Sequence, residues 1–574
     1  MTRQLTDDVH VATASTAWWR DAVVYQIYPR SFADSDGDGI GDLPGIRTRL
    51  PYLAALGVDA LWLSPFYLSP QADAGYDVVD YRVVDPVFGT LDDARALITD
   101  AHALGLRVIV DVVPNHSSDQ HAWFRQALAD SPGSPFRGRY HFRPGKGEHG
   151  ESPPNDWESL FGGPAWTRTA NPDGTPGEWY LHLFAAEQPD FDWTDPAVAD
   201  EFRSVLRFWL DHGVDGFRVD VAHGLVKADG LPDLGGHERP HLLDTGATPC
   251  FDQDGVHEIY RDWRGILDEY PGERVGVAEA WAPTLDRVAH YVRSDELHQA
   301  FNFQYLACPW EPAAQRRVVD ESLTAMRRVG APATWVLSNH DVPRHTTRLM
   351  QHAGGDIAGR RAEPVDEAAG LRRARAASLL MLALPGSAYL YQGEELGLPE
   401  VLDLPDASRQ DPAFFRAAGQ DGYRDGCRVP IPWHGTHPPY GFGPPDGVSW
   451  LPQPAEWARL VVSAQDGVPG STLELYREAL ALRRAHPALG SADNLAWLSD
   501  SQVLLDFARH NTDGASFRCT VNMSDRPVRV PVTGELLLSS ASVSHDAGHA
   551  VLPPDCTAWW TDSRPPRTPE SDRS

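Results

Sequence analysis

Gly216-Phe217-Arg218-Val219-Asp220-Val221-Ala222-His223 is an apolar run broken by two opposite charges, Arg218 and Asp220. Successive side chains on a strand alternate between faces, so these two share one. Taking an arginine and a carboxylate into a strand end costs several kcal/mol per ion unless the charges pair or have a task. The octet alone leaves two explanations open, a structural ion pair or a reacting centre. The rest of the chain decides between them.

Outward from the octet, apolar runs recur at a steady beat. Strands are predicted from Val23, Asp59, Arg107, Gly216, Arg274, Ala300, Thr334 and Ala388, the sixth covering 300–305. Amphipathic segments at 46–57, 91–105, 197–213, 256–270, 285–293, 313–330, 371–384 and 471–486 predict the helices between them. Continuous apolar strands suit a parallel sheet covered on both faces. Eight such units predict an α/β fold, a (β/α)8 TIM barrel. The beat stops over 117–185, rich in Pro, Gly, His and Trp, which reads as a subdomain inserted after the third strand. A second long loop is expected over 398–452, and short alternating strands at 503–507, 516–521 and 528–532 predict a C-terminal antiparallel β domain. The expected division is a lead-in over 1–20, a catalytic barrel over 21–116 and 186–490, an inserted domain over 117–185, a β domain over 491–562 and a disordered tail over 563–574.

Bulk properties narrow the function. A chain of 574 residues exceeds one compact core. Its net charge of −30 repels nucleic acid and anionic membranes, and it holds only two lysines, Lys146 and Lys227, with no basic cluster interleaved with aromatics. No apolar run approaches the ~18–20 residues that span a bilayer, and the polar first 20 residues lack a signal-peptide core. Five scattered cysteines without metal-type spacing fit a reduced, cytoplasmic setting. No nucleic-acid or membrane partner is expected.

In such a barrel the active site lies where the strands end. Polar groups gather there: Asn115-His116 after the third strand, Arg218 and Asp220 on the fourth, Glu279 ending the fifth and His340-Asp341 after the seventh. Asp220, Glu279 and Asp341 would converge on one mouth. Glycoside hydrolysis needs a carboxylate pair, one attacking the anomeric carbon and one holding a proton. Glu279 lies among Val277, Ala278, Ala280 and Trp281, which raises its expected pKa, whereas Arg218 favours an ionised Asp220. The expected roles are therefore acid/base for Glu279 and nucleophile for Asp220.

The ordered motifs Asp111-Val112-Val113-Pro114-Asn115-His116, Gln188-Pro189-Asp190-Phe191-Asp192-Trp193, Gly216–Asp220, Glu279-Ala280-Trp281 and Ser338-Asn339-His340-Asp341 resemble those of the α-amylase family of glycoside hydrolases. The likeness is narrower to its α-glucosidase and oligo-1,6-glucosidase branch and spans nearly the whole chain. It implies that Asp341 distorts and stabilises the sugar while His116, Arg218 and His340 hold the glucose. Gly75-Tyr76-Asp77 is similar to a further sugar-binding segment, implying that Tyr76 stacks on the ring and Asp77 accepts its hydroxyls. Arg424, with Arg428 as second choice, would pair with Asp77 and close the pocket. The residue after the nucleophile, Val221, would tune linkage preference.

Asp34, Asp36, Asp38, the Ile40 carbonyl and Asp42 occupy positions 1, 3, 5, 7 and 9 of an EF-hand-like loop, with Gly39 at position 6 and Gly45 in place of the bidentate Glu at 12. These carboxylates would repel one another without a cation. A structural Ca²⁺ is expected, which the resemblance also implies, with Mg²⁺ as the substitute and no organic cofactor. The expected activity is that of a retaining, exo-acting α-glucosidase on short oligosaccharides. Alternatives are an oligo-1,6-glucosidase, or a glucosyltransferase or isomerase of the trehalose or sucrose type on the same scaffold. A monomer or homodimer is expected.

Overall fold

The computed structural model describes residues 17–171, 173–235, 248–350, 366–416, 424–490, 494–511, 514–532, 534–546 and 548–561. Most of the lead-in, its first 16 residues, and the whole 563–574 tail of the sequence reading lie outside the described residues.

Eight parallel strands build the barrel: β1 (Val23–Ile27), β2 (Ala60–Leu63), β3 (Arg107–Val112), β4 (Gly216–Val219), β5 (Val275–Ala278), β6 (Gln299–Ala300), β7 (Thr334–Val336) and β8 (Ser387–Tyr391). They pair in the order β6-β5-β4-β3-β2-β1-β8-β7. The gap between β6 and β7 is bridged by the Asn302 N–H, which donates to the Thr334 carbonyl at 3.1 Å. Eight principal helices cover the outside: α1 (Leu43–Leu56), α2 (Leu91–Ala103), α3 (Pro196–Asp211), α4 (Val256–Asp268), α5 (Leu285–His290), α6 (Pro312–Val329), α7 (Glu367–Ala383) and α8 (Thr472–Ala485). Their ends follow from local chemistry. Thr90 and Asp93 form a reciprocal capping box on α2, and Gly330 stops α6 in the left-handed conformation at φ 75°.

One prediction fails in detail. The sixth strand is only Gln299–Ala300, and Phe303–Leu306 is a helical turn. The Asn302 side chain accepts the Tyr305 N–H and caps that turn. The alternating Phe301 and Phe303, which mimic a strand, both pack in the apolar cluster with Val24, Trp62 and Tyr389.

The insertion after β3 carries a small antiparallel sheet of Phe142–Arg143, Pro176–Leu181 and Trp166–Ala170. A five-stranded antiparallel sheet, including Leu504–His510, Ser516–Asn522 and Cys556–Thr561, forms the C-terminal domain. It docks on α7, where Thr557 Oγ1 and Trp559 Nε1 donate to the Ala376 and Leu379 carbonyls. All five cysteines are free. Among the described residues no helix is long and apolar enough to cross a membrane.

Candidate active site

β4 positions the centre. Gly216 opens it because a Cβ there would meet the Val275 carbonyl oxygen at 2.2 Å, so only glycine lets β4 and β5 approach. Arg218 then points into the mouth, fully buried, over the Trp62 ring at 5.1 Å. Its Nη1 donates to Asp111 Oδ1 at 2.8 Å and Asp220 Oδ1 at 2.5 Å, and its Nη2 lies 3.4 Å from Glu279 Oε2. One guanidinium therefore serves carboxylates from three strand ends. Glu279 is held at both oxygens: the Val221 N–H donates to Oε2 at 2.7 Å and Trp281 Nε1 to Oε1 at 2.8 Å.

The electrostatics differ from the sequence expectation. Burial pushes the carboxyls of Asp111, to about 6, of Asp220 and of Glu279 upward, and Arg218 pulls all three back. The environments of Asp220 and Glu279 are thus shared rather than opposed. What separates them is the direct contact of Arg218 with Asp220 against its 3.4 Å approach to Glu279. Asp341 is the contrast. Burial alone would raise it, but His340, Arg424 and Arg428 hold its carboxyl well below the usual range. Arg424 Nη1 and Arg428 Nη2 meet its Oδ1 at 3.0 and 2.9 Å, and His340 Nε2 lies 3.2 Å from Oδ2.

The cleft brings together Tyr76, His116, Asp220, Val221, Glu279, Asp341 and Arg424 among the expected site residues. Phe161 of the insertion, Phe184, His223 and Trp281 complete the wall. His340 sits behind it, parallel to the Tyr76 ring at 5.3 Å, with Nδ1 2.7 Å from Gln26 Nε2. Burial lowers the His116 pKa to about 4 and that of His340 to about 3, so both are neutral near pH 7.

Asp77 is misassigned by the sequence reading. It is wholly buried and spends its carboxylate on Ser69 Oγ and the Ala72 and Asp73 N–H groups. Asp73 takes the place expected of it: Arg424 Nη2 donates to its Oδ1 at 3.1 Å, and it lines the cleft. Ala74 and Gly75 both have positive φ, 52° and 104°, and this left-handed turn separates the two carboxylates. Asp411 is a further unforeseen partner, 2.8 Å from Arg424 Nη2. So is the buried network behind His116, in which Lys227 Nζ donates to Asn115 Oδ1 and pairs with Asp190, both at 2.8 Å. The motifs named Asn115 and Asp190 but gave them no task. Val221 itself is left-handed, φ 46°, a strained state for a β-branched residue.

In the acidic loop, carboxylate oxygens of Asp34, Asp36 and Asp42 lie within 4.8 Å of one another. That span matches ligands at 2.3–2.6 Å on opposite sides of one Ca²⁺. Asp38 is not in the group, and its Oδ1 accepts the Ile40 N–H at 2.8 Å. Three of the four expected side chains are thus gathered within one ion's reach.

A parallel barrel whose mouth gathers carboxylates around one buried arginine has the groups that glycoside chemistry uses. The chain belongs to the α-amylase family of glycoside hydrolases: the alpha amylase catalytic domain model matches residues 26–492, and a domain of unknown function, DUF3459, matches 491–559. It is 38% identical to a probable alpha-glucosidase of Rhizobium meliloti (strain 1021), over 88% of this chain and 90% of that one. It is 33% identical to an oligo-1,6-glucosidase of Halalkalibacterium halodurans, over 92% and 94%. A crystal structure of the alpha-glucosyl transfer enzyme XgtA superposes with a TM-score of 0.82 at 35% identity, covering 96% of this chain and 100% of that one.

Proposed function

We propose that the protein is a retaining, exo-acting α-glucosidase that releases α-D-glucose from the non-reducing end of short α-glucosides. The carrying observation is the ion cluster of Arg424 with Asp73, Asp341 and Asp411, three members of which line the cleft with Asp220 and Glu279. Such a cluster would close one end of the cleft, admit one terminal sugar and stop a chain from running through. Asp220, in direct contact with Arg218, carries the charge and attacks the anomeric carbon while Glu279 gives its proton to the glycosidic oxygen. The resulting β-glucosyl ester is then attacked by water, which Glu279 deprotonates, and two inversions restore the α configuration. Asp341, kept ionised, faces the positive charge that grows on the sugar ring. Tyr76, His116 and Asp73 line the place where the glucose hydroxyls would lie.

The test is proton NMR of early turnover on maltose, isomaltose, sucrose and trehalose. α-Glucose appearing first from chain ends supports the reading, and maltose ranks above isomaltose if the enzyme is a general α-glucosidase. First-formed β-glucose, or cleavage inside a longer maltooligosaccharide, overturns it. The likeness to an alpha-glucosyl transfer enzyme favours a second reading, transfer of the glucosyl group to a sugar instead of water. New disaccharides in place of free glucose would establish that one.

The same reading includes a structural Ca²⁺ on Asp34, Asp36 and Asp42. Binding to the folded state alone stabilises by about 4 kcal/mol at a thousandfold excess over Kd. EDTA is therefore expected to lower Tm by several degrees and added Ca²⁺ to restore it, with Mg²⁺ less effective because it demands octahedral geometry. An unchanged Tm in calorimetry would remove the ion from the account.

A further inference from the structure

Glu279 has two oxygens in unequal surroundings. Oε2 is approached from the β4 side by the Val221 N–H at 2.7 Å and by Arg218 Nη2 at 3.4 Å. That amide is aimed by the left-handed backbone of Val221, and the neighbouring Ala222 N–H clamps the Glu279 carbonyl at 2.8 Å. A proton on Oε2 would face the Arg218 cation as well as the Val221 N–H, whereas Oε1 meets one neutral donor. Oε1 receives the indole N–H of Trp281 at 2.8 Å, and a carboxyl oxygen that accepts one hydrogen bond still has a lone pair for a proton. The indole is itself fixed, flat on Phe303 with ring centroids 3.7 Å apart and planes 3° from parallel. Phe303 belongs to the capped turn Phe303–Leu306, and Trp281 also lines the cleft.

We propose that Trp281 is a positioning residue that holds Oε1 of Glu279, the oxygen away from the Arg218 cation, as the proton-carrying oxygen and aims it at the bond to be broken. The inference rests on the acid/base role given to Glu279 above. In the first step the Oε1–H proton moves to the glycosidic oxygen, which keeps the electron pair of the breaking C–O bond, while an Asp220 oxygen bonds to the anomeric carbon. In the second step the water oxygen bonds to that carbon, the ester bond breaks toward Asp220 and the water proton goes to Oε1. The indole N–H never transfers its own hydrogen. It fixes the direction of the lone pair that does the work and favours the ionised carboxylate.

Other groups facing Glu279 are Arg218 and Asp220 from the β4 end, Asp341 after β7, Tyr260 from α4 and His223 beyond the nucleophile. None of them is altered in Trp281→Phe, which retains an aromatic face for Phe303 and removes the indole donor and part of the ring. With this variant kcat/KM on maltose is expected to fall ~10- to 100-fold, a part of the ~10²- to 10⁴-fold that general acid catalysis supplies. On 4-nitrophenyl α-glucoside, whose leaving group needs little protonation, it is expected to fall less than ~3-fold. Loss of a donor to the ionised form raises the Glu279 pKa, so the alkaline limb of the kcat/KM profile moves to higher pH. A uniform loss on both substrates with an unmoved limb overturns the proposal. Phe303→Leu, which leaves the indole but removes its flat partner, should show the same leaving-group contrast more weakly. If Trp281→Phe does not fold, the absence of that contrast in Phe303→Leu overturns the proposal. Glu279→Gln serves as the reference. A flat response to leaving group there would remove the acid/base reading itself, whereas a contrast in Glu279→Gln without one in Trp281→Phe would remove only the role of Trp281.

Discussion

Asp220→Asn is expected to reduce kcat on α-glucosides by ~10⁴-fold or more, about 5.5 kcal/mol of barrier, with a folded protein. The amide keeps the size of the side chain and can still accept from Arg218, but it cannot form the glucosyl ester. The smaller Asp220→Ala offers a sharper readout, because space for an external nucleophile opens on the side the carboxylate occupied. Azide entering there displaces the leaving group once, with one inversion, and yields β-glucosyl azide. In Glu279→Ala the ester still forms from 4-nitrophenyl α-glucoside, whose leaving group needs little protonation, and azide reaches it from the opposite side in a second inversion, yielding α-glucosyl azide. The two anomers thus assign the two carboxylates independently of any rate. Exchanged anomers would mean that nucleophile and acid/base are the wrong way round, and near-wild-type turnover in Asp220→Asn would remove the nucleophile altogether. The shared environment of the pair gives this test its point. Burial raises both carboxyls, and what tells them apart is the 2.5 Å contact of Arg218 with one and its 3.4 Å approach to the other.

The barrel was legible because its strands are buried on both faces and stand out as unbroken apolar runs between capped helices. The sixth strand was not, since Phe301 and Phe303 alternate like a strand while a side-chain cap at Asn302 bends the backbone into a turn. The reacting residues were legible for a similar reason: charged groups at apolar strand ends are costly, so Arg218, Asp220 and Glu279 announce themselves. Loop geometry carries no such signal. Asp73 and Asp77 are both carboxylates two residues from Gly75, and only the left-handed pair Ala74–Gly75 decides which one turns toward Arg424. The engagement of Arg424 with Asp341, Asp73 and Asp411 joins residues 13 to 351 positions apart, and pattern along the chain cannot show it. Nor does a valine suggest a left-handed backbone, although at Val221 that conformation delivers the amide that holds Glu279.

Arg218→Met tests the other half of the opening octet, the claim that one cation makes a cluster of buried carboxylates tolerable. Removing one partner of a buried ion pair costs about 3–5 kcal/mol because the remaining charge is stranded. Here the stranded groups are Asp111, Asp220 and Glu279. They have an escape, which is protonation, and that gives the loss a pH dependence of definite sign. A carboxyl whose folded pKa lies above its unfolded value binds more protons when folded, so stability falls as pH rises between the two values. For Asp111 in the wild type that window runs from the unfolded carboxylate range, ~4, to about 6. Without Arg218 all three carboxyls rise further, and the window widens upward past neutrality. The variant should therefore be closest to wild type in urea unfolding near pH 5, where neutral acids need no cation, and fall about 3 kcal/mol or more behind it by pH 8. Activity should be lost at both pH values, since a protonated Asp220 is no nucleophile. A deficit that is equal at the two pH values, or larger at pH 5, would show that Arg218 acts through packing on Trp62 and Tyr76 rather than through its charge.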